Sequence, residues 1–174
     1  NDSLTGGAGD DIYFIDDDGD IYTEAGGEGS DLVISYLATL TLGANVEGLR
    51  LMLAGASNGT GNALDNTLYA GAGNNVLDGG SGIDTVSYAY GTSGVTVSLA
   101  VSTAQATGGS GSDTLTSIEN LIGSAYADQL TGNTGANSLG GGAGNDTLDG
   151  GAGSDTMAGG DGSDGYFVRD GGDV

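Results

Sequence analysis

The chain of 174 residues contains 38 glycines and no proline, cysteine or histidine, and 24 acidic residues against 2 basic ones give it a net charge of −22. The absence of cysteine and histidine excludes disulfides, zinc sites built on those ligands and imidazole catalysis. We expect no nucleic-acid binding and no membrane insertion, because so acidic a chain repels phosphates and no apolar run reaches the ~20 residues of a membrane span. A compact fold with this charge requires bound cations.

A nine-residue pattern, Gly-Gly-x-Gly-x-Asp-x-U-x, recurs along the chain, where U is a large apolar residue. Full copies begin, in chain order, at Gly6, Gly26, Gly79, Gly108, Gly141, Gly150 and Gly159. Weaker copies at 61–69 and 70–78 lead into the copy at Gly79, and copies at 123–131 and 132–140 lead into the copy at Gly141. Such self-similarity predicts a solenoid of stacked repeats.

The copies divide the chain into segments. In order, we predict calcium-turn units with an acidic loop at 1–34, connecting strands at 35–60, a run of three units at 61–87, strands with an isolated unit (108–116) at 88–122, a run of five units at 123–167 and the start of a further module at 168–174. Residues 159–174 also match residues 6–21 at an offset of 153. We therefore expect a tandem array of such modules, in which neighbouring modules of the same chain contact one another.

Each unit combines a turn with a short strand. The glycines at positions one, two and four permit a tight turn, the aspartate at position six adds a carboxylate, and the apolar residue at position eight points inwards. Two units then form one coil, an offset of 18 in the sequence, which places Asp128 under Asp146 and Asp146 under Asp164. Stacked turns offer only carboxylate, amide and carbonyl oxygens in a flexible arrangement, which suits Ca²⁺ better than Mg²⁺.

The motif resembles that of the RTX, or haemolysin-type calcium-binding, family. The resemblance implies an all-β fold without helices, a right-handed parallel β-roll, with several Ca²⁺ ions between its turns. It implies as ligands the sixth-position side chains Asp11, Asp31, Asp84, Asp113, Asp128, Asp146, Asp155 and Asp164, with Asn66, Asn75 and Asn137 in the weaker copies. It also implies carbonyl groups of the turns formed by Gly79, Gly80, Gly82, Gly132, Gly135, Gly141, Gly142, Gly144, Gly150, Gly151, Gly153, Gly159, Gly160 and Gly162.

Several units depart from the pattern. We expect the sites with a neutral asparagine to be weaker or empty, and the turns where Leu64 and Tyr126 replace the fourth glycine to be distorted. The copies at Gly6 and Gly26 are related by an offset of 20 instead of 18. We assign the two extra residues to the acidic loop at 16–20 and expect poor stacking there. The copy at Gly108 has no neighbour in phase.

The acidic residues outside position six are expected to be surface charges. These are the residues of the loop at 16–20 and Asp149, Asp161, Asp170 and Asp173. A sixth-position aspartate could also merely cap its own turn. The regular recurrence of these aspartates favours the calcium interpretation.

The resemblance further implies a protein secreted by the type I machinery of a Gram-negative bacterium, and so an extracellular or cell-surface location. We expect no catalysis in this chain, because its regularly placed carboxylates already have a metal-binding role. The parent protein could be a secreted enzyme, such as a lipase, protease or epimerase, with this segment as its tail. It could equally be a large adhesin with this segment as an extender. The ninth positions carry no row of threonines, which disfavours an ice-binding face.

Overall fold

The computed structural model describes residues 1–174, which form nineteen short strands and no helix. In chain order the strands are β1 Ser3–Thr5, β2 Ile12–Ile15, β3 Ile21–Thr23, β4 Leu32–Ser35, β5 Thr39–Thr41, β6 Gly48–Leu51, β7 Ser57–Thr60, β8 Thr67–Tyr69, β9 Asn75–Asp78, β10 Thr85–Ser87, β11 Thr96–Ser98, β12 Gln105–Gly108, β13 Gly111–Thr116, β14 Asn120–Ile122, β15 Gln129–Thr131, β16 Ser138–Ala143, β17 Thr147–Asp149, β18 Thr156–Asp161 and β19 Gly165–Phe167. No helix of the structure could therefore cross a membrane.

Eight of the strands stack into one parallel sheet in the order β18-β16-β14-β10-β8-β6-β4-β2. The opposite face of the coil consists of three smaller sheets, with the orders β1-β3, β12-β13-β9-β7-β5 and β11-β15-β17-β19. Within the repeat runs, paired residues are related by an offset of 18, as Leu139 and Met157 are in β16 and β18. This architecture confirms the predicted all-strand parallel solenoid.

The core is a single column of apolar side chains enclosed between the two faces. The eighth-position residues of six units are fully buried, namely Leu68, Leu77, Val86, Leu130, Leu139 and Leu148. Each coil contributes one or two such side chains, and burial of each is worth about 1.5–3 kcal/mol. The column is thin, so most other interactions that hold the coils together lie in the turns.

The register of the first coil corrects the predicted position of the two extra residues. Strand β1 pairs with β3 at an offset of 18, Thr5 with Thr23, whereas β2 pairs with β4 at an offset of 20, Ile12 with Leu32. The insertion therefore falls after Thr23, at Glu24 and Ala25, and not in the acidic loop. The expectation of poor stacking was also wrong, because β2 and β4 pair over their full length.

The unit at Gly108 is likewise part of the stack. Thr114 of β13 pairs with Val76 of β9, so this unit lies directly on the unit at 70–78. Between them the chain makes an excursion through β11, which pairs with β15, and β12, which forms an antiparallel pair with β13. The unit seemed isolated because the excursion does not follow the nine-residue phase.

Candidate metal sites

Sixth-position residues line both edges of the solenoid. A sixth-position residue, or a glutamate in its place, immediately precedes each strand of the eight-stranded sheet. In spatial order these residues are Asp11, Asp31, Glu47, Asn66, Asp84, Glu119, Asn137 and Asp155. On the opposite edge, the corresponding column before β15, β17 and β19 consists of Asp128, Asp146 and Asp164. Both columns are therefore formed by stacking, as the offset of 18 predicts.

Hydrogen bonds connect the members of each column. The backbone N–H of Asp146 donates to Oδ1 of Asp164 at 3.0 Å, and that of Asn137 donates to Oδ1 of Asp155 at 2.8 Å. The same bond links Asn66 to Asp84 at 2.8 Å. Where an aspartate has a coil before it in its column, one carboxylate oxygen is thus used to bind that coil, and only the second oxygen is available to a ligand.

That second oxygen is unsatisfied at four positions. Oδ2 is buried and has no hydrogen-bond partner in Asp11, Asp84, Asp146 and Asp155. A buried charged oxygen without a partner is strongly unfavourable unless a cation or a proton neutralises it. In agreement with this cost, burial raises the pKa of Asp84 and of Asp146 above the usual value. The donor chemistry and the unpaired oxygens therefore fit a hard cation such as Ca²⁺.

The gap between the units at 141–149 and 159–167 shows the surroundings of such an oxygen. A side chain at Gly141 would overlap both Oδ2 of Asp146 and the carbonyl oxygen of Gly159, so these two oxygens face the same small space. The carbonyl oxygens of Gly142 and Gly144 also point into this gap, against the backbone of the coil above. The gap is lined by oxygen atoms that only glycine backbones can bring so close.

The other predicted glycines repeat this arrangement. A Cβ atom at the first-position glycines would overlap their own sixth-position side chains at Gly79, Gly132, Gly141, Gly150 and Gly159. Positive φ angles occur at the second- and fourth-position glycines Gly80, Gly82, Gly142, Gly144, Gly151, Gly153, Gly160 and Gly162. Gly135 differs, since its φ is not positive, but its carbonyl oxygen faces Gly153 of the next coil.

The asparagine positions are closed by their own amide groups. The Nδ2 of Asn66 donates to the carbonyl of Val46 at 3.0 Å, and that of Asn137 donates to the carbonyl of Glu119 at 2.7 Å. The Nδ2 of Asn75 likewise donates to the carbonyl of Ser57 at 2.8 Å. The Oδ1 of each asparagine accepts a backbone N–H of its own turn, from Asn62, Asn133 and Gly71 respectively. No oxygen of these side chains is left without a partner, in line with the expectation that these sites are weaker or empty.

Two of the predicted aspartates are satisfied by protein groups. Oδ1 of Asp128 accepts hydrogen bonds from the N–H of Val95 at 2.7 Å and from the hydroxyl of Ser124 at 2.8 Å, and its Oδ2 accepts the N–H of Ser124 at 2.6 Å. Oδ2 of Asp113 accepts the hydroxyl of Thr107 at 3.0 Å, while burial raises the pKa of Asp113 to about 6. These two carboxylates depend less on a cation than those with an unpaired oxygen.

The sequence pattern missed two glutamates in the same column. Oε2 of Glu47 accepts the N–H of Asp31 at 2.9 Å, and Oε2 of Glu119 accepts the N–H of Asp84 at 2.8 Å. Both glutamates stand in connecting segments that lack the nonapeptide motif. A shared signal could have revealed them, because each is preceded by a β-branched residue and followed two residues later by a leucine, in Val46–Leu49 and Ile118–Leu121.

Asp20 and Asp173 are also members of the columns and not free surface charges. Oδ1 of Asp20 accepts the N–H of Asp2 at 2.9 Å, and Oδ1 of Asp173 accepts the N–H of Asp155 at 3.3 Å. Backbone N–H donors lower the pKa of both carboxyl groups. The two bonds are related by the offset of 153 found in the sequence, which extends that relationship to the structure.

The other acidic residues outside the columns differ from one another. Asp149 forms a two-pronged ion pair with Arg169, which lowers the pKa of this carboxyl group, so the expectation of a free surface charge was wrong there. Asp161 is exposed and forms no ion pair, and its carboxylate accepts no hydrogen bond, as expected of a surface charge. Substitution of Asp161 is therefore a suitable control for substitutions of the aspartates in the columns.

Comparison with protein families gives one match. The family model of the RTX calcium-binding nonapeptide repeat matches residues 1–22, 54–86, 116–148, 131–166 and 140–174, which together are more than half of the chain. Comparison with curated proteins gives no match. The matched ranges contain the repeat runs in which the columns of aspartates were found.

Proposed function

The chain belongs to the RTX calcium-binding nonapeptide repeat family, and we propose that it is a calcium-gated structural segment of a protein secreted by a Gram-negative bacterium. In this proposal the segment passes the type I secretion machinery unfolded, where free Ca²⁺ is scarce. It folds outside the cell, when Ca²⁺ enters the gaps between its coils. Its role is structural, and catalysis belongs to other parts of the parent protein, if it occurs at all.

The unpaired buried oxygens of the aspartate columns carry this proposal. The chain has only two basic side chains. Arg169 is paired with Asp149, and the guanidinium of Arg50 lies over the ring of Tyr90, 3.5 Å from its centre. No basic side chain forms a salt bridge with the columns. The folded solenoid therefore needs positive charge from outside the chain.

The energetic effect of several ions is large enough to gate folding. Each independent site that is filled only in the folded state adds about 2.7 kcal/mol at a hundredfold excess of ion over its Kd. Extracellular calcium modules have Kd values on the order of 10⁻⁴ to 10⁻³ M. Sites of this affinity stay empty at cytosolic calcium levels and fill at the millimolar levels outside the cell.

Circular dichroism in chelator and in millimolar Ca²⁺ tests the gating. We expect a disordered chain in chelator, a β-signal in Ca²⁺ with a steep midpoint, and little effect of the same concentration of Mg²⁺. The same β-signal in chelator and in Ca²⁺ would contradict the proposal.

The repetition at an offset of 153 favours a role as extender within a large adhesin. The hydrogen bonds from Asp2 to Asp20 and from Asp155 to Asp173 are equivalent under this offset. The surroundings of Gly6 and Gly159 are equivalent too, since each faces a sixth-position carboxylate and a tyrosine hydroxyl. The tail of a secreted enzyme remains the alternative. Many tandem copies in the parent sequence would support the extender, and a single copy after a catalytic domain would support the tail.

A further inference from the structure

A two-residue insertion brings a third carboxylate to the first calcium gap of the solenoid. Glu24 and Ala25 lie between β3 and the turn that starts at Gly26, a point where the nonapeptide has no residues. The inserted Glu24 is not directed to solvent, as its residue surface is only 7 % exposed. The side chain of Asn45 donates to the carbonyl of Glu24 at 3.0 Å and thereby fixes the inserted segment.

The insertion places Glu24 beside two sixth-position aspartates. One carboxylate oxygen each of Asp11, Glu24 and Asp31 lies within 4.8 Å of the other two. Asp31 is 2 % exposed, and its Oδ1 accepts the N–H of Asp11 at 2.9 Å, while no hydrogen bond reaches its Oδ2. Oδ2 of Asp11 is buried and has no partner either. The hydroxyl of Tyr13 donates to Glu24 and so holds its carboxylate towards the cluster.

No protein cation offsets these three charges. The ion pairs of the chain are those of Asp149 with Arg169 and of Asp20 with the N-terminal amine. Three carboxylates so close together and so little exposed repel one another unless a cation lies among them. Two of them also keep an oxygen without a hydrogen-bond partner, which a metal ion would satisfy.

We propose that Asp11, Glu24 and Asp31 together bind one Ca²⁺ ion, in a site that the nonapeptide motif does not supply and that is the tightest of the chain. This inference rests on the proposed calcium-binding function. The affinity of a calcium site rises with the number of its charged ligands and with its rigidity. The gaps inside the repeat runs, such as that between Asp146 and Asp164, have two sixth-position carboxylates and no third one. Glu24 and Asp31 lie outside the ranges that the family model matches.

The first experiment compares Glu24→Gln with Glu28→Gln by Ca²⁺ competition against a chromophoric chelator. Glu28 belongs to the same turn but is exposed, so its variant is matched in charge and in location. We expect Glu24→Gln to weaken the tightest equivalent of Ca²⁺ by at least about 10-fold, because changing even a residue that only supports a metal ligand typically costs about 10- to 100-fold in affinity. Glu28→Gln should leave it unchanged.

The outcomes separate this inference from the proposed function. If the unchanged chain binds no Ca²⁺, both fail. If it folds with Ca²⁺ but Glu24→Gln and Glu28→Gln have the same tightest equivalent, only the three-carboxylate site is overturned, and the calcium-gated solenoid stands.

A second experiment does not depend on the folding of the Glu24 variant. Tb³⁺ replaces Ca²⁺ at oxygen sites and emits when a nearby tyrosine is excited, and Tyr13 contacts Glu24 directly. We expect the first equivalent of Tb³⁺ to emit strongly, and Tyr13→Phe, which removes the nearest phenol ring, to reduce this emission severalfold. Tyr166→Phe, at the equivalent position of the last coil, should leave it unchanged. Loss of the first signal in Tyr166→Phe instead of Tyr13→Phe would place the tightest site elsewhere and overturn the inference.

Discussion

The backbone N–H of Asp128 donates a 2.8 Å hydrogen bond to Oδ1 of Asp146, which lies one coil further along the solenoid. The other oxygen of Asp146 is buried without a partner and faces the same space as the carbonyl oxygen of Gly159. One carboxylate thus connects two coils in two ways. Its Oδ1 binds the backbone of the coil before, and its Oδ2 is free for an ion held with the coil after.

Substitution of Asp146 separates these two roles. Asp146→Asn keeps an oxygen for the N–H of Asp128 but removes the charge, so we expect the Ca²⁺ midpoint of folding to rise severalfold. Asp146→Ala also removes the acceptor, and hydrogen bonds to charged groups are worth about 1.5–3 kcal/mol, so its midpoint should rise further. The midpoint is measured by circular dichroism.

The control for these variants is Asp161→Asn. Asp161 is exposed and its carboxylate accepts no hydrogen bond, whereas Asp149 is unsuitable because it pairs with Arg169. Surface substitutions usually change stability by about 0.5 kcal/mol or less. Equal midpoints for Asp146→Ala and Asp161→Asn would show that the column of Asp146 is not the metal-binding edge.

Asn137→Asp should create a calcium site. At present the Nδ2 of Asn137 donates to the carbonyl of Glu119 and its Oδ1 accepts the N–H of Asn133, so the side chain offers no free oxygen. A carboxylate there would face that carbonyl and, without Ca²⁺, destabilise the fold. With Ca²⁺ we expect one more bound ion per chain, counted by calorimetry. The control is Asn58→Asp, which adds the same charge outside the columns and should bind no additional ion. If Asn137→Asp binds the same number of Ca²⁺ ions as the unchanged chain, the asparagine is not what keeps an ion out of this position.

The run of five units at 123–167 should hold the largest group of ions. It contains three pairs of units on the same edge, two of which join aspartate to aspartate, namely Asp128 with Asp146 and Asp146 with Asp164. Its Asp155 also has an aspartate neighbour, Asp173, whereas the run at 61–87 has one such pair, which joins Asn66 to Asp84. We expect at least three ordered ions near these aspartates. Anomalous scattering from a crystal grown in Ca²⁺ would locate them, and more ions near Asn66 and Asn75 than in the run of five would reverse the ranking.

Acid should partly replace calcium. Burial raises the pKa of Asp113 to about 6 and also raises the pKa of Asp84 and Asp146, whereas an unfolded aspartate titrates near 3.8. The folded chain therefore binds more protons than the unfolded chain between about pH 4 and pH 6. The contribution of these three carboxyl groups to the stability of the calcium-free fold is fully present below this window and is lost as the pH rises through it.

In chelator we therefore expect a larger β-signal at about pH 5 than at about pH 7. In the presence of Ca²⁺, the midpoint should rise as the pH falls, because protons compete with the ion for the same carboxylates. Asp113→Asn removes the carboxyl group whose pKa burial raises to about 6, and it should diminish the acid effect in chelator. A β-signal in chelator that decreases steadily from pH 7 to pH 5 would contradict the sign.

The stacking of the aspartates was predictable because glycine turns and one inward apolar residue per unit fix the register. A slip of one residue would turn Leu130 and Leu148 out of the core, so Asp128 must lie beside Asp146. The position of Glu24 could not be predicted in the same way. The two extra residues could lie in the acidic loop or after Thr23, and only the pairing of β1 with β3 decides between them.

The excursion at 88–107 escaped prediction for a related reason. It contains no nonapeptide that would set its phase, so the sequence does not tell which earlier coil Asp113 rejoins. The hydrogen bond from the N–H of Asn75 to Oδ1 of Asp113, far ahead in the chain, supplies that answer. Glu47 and Glu119 were missed because the sequence alone does not distinguish a glutamate outside the motif from an exposed surface charge. Only their neighbours in space show that they belong to the column.

The equivalence of Asp11 and Asp164 has a consequence for the tandem array that we propose. Asp11 precedes a strand of the eight-stranded sheet, but Asp164, its counterpart at the offset of 153, precedes a strand of the opposite face. The same exchange of faces separates Asp20 from Asp173. The 153-residue stretch from Asp11 to Asp164 thus contains an odd number of half-turns. Successive modules in a continuous filament would therefore display their corresponding surfaces on alternating sides. A partner that approaches from one direction would meet the same surface only at every second module.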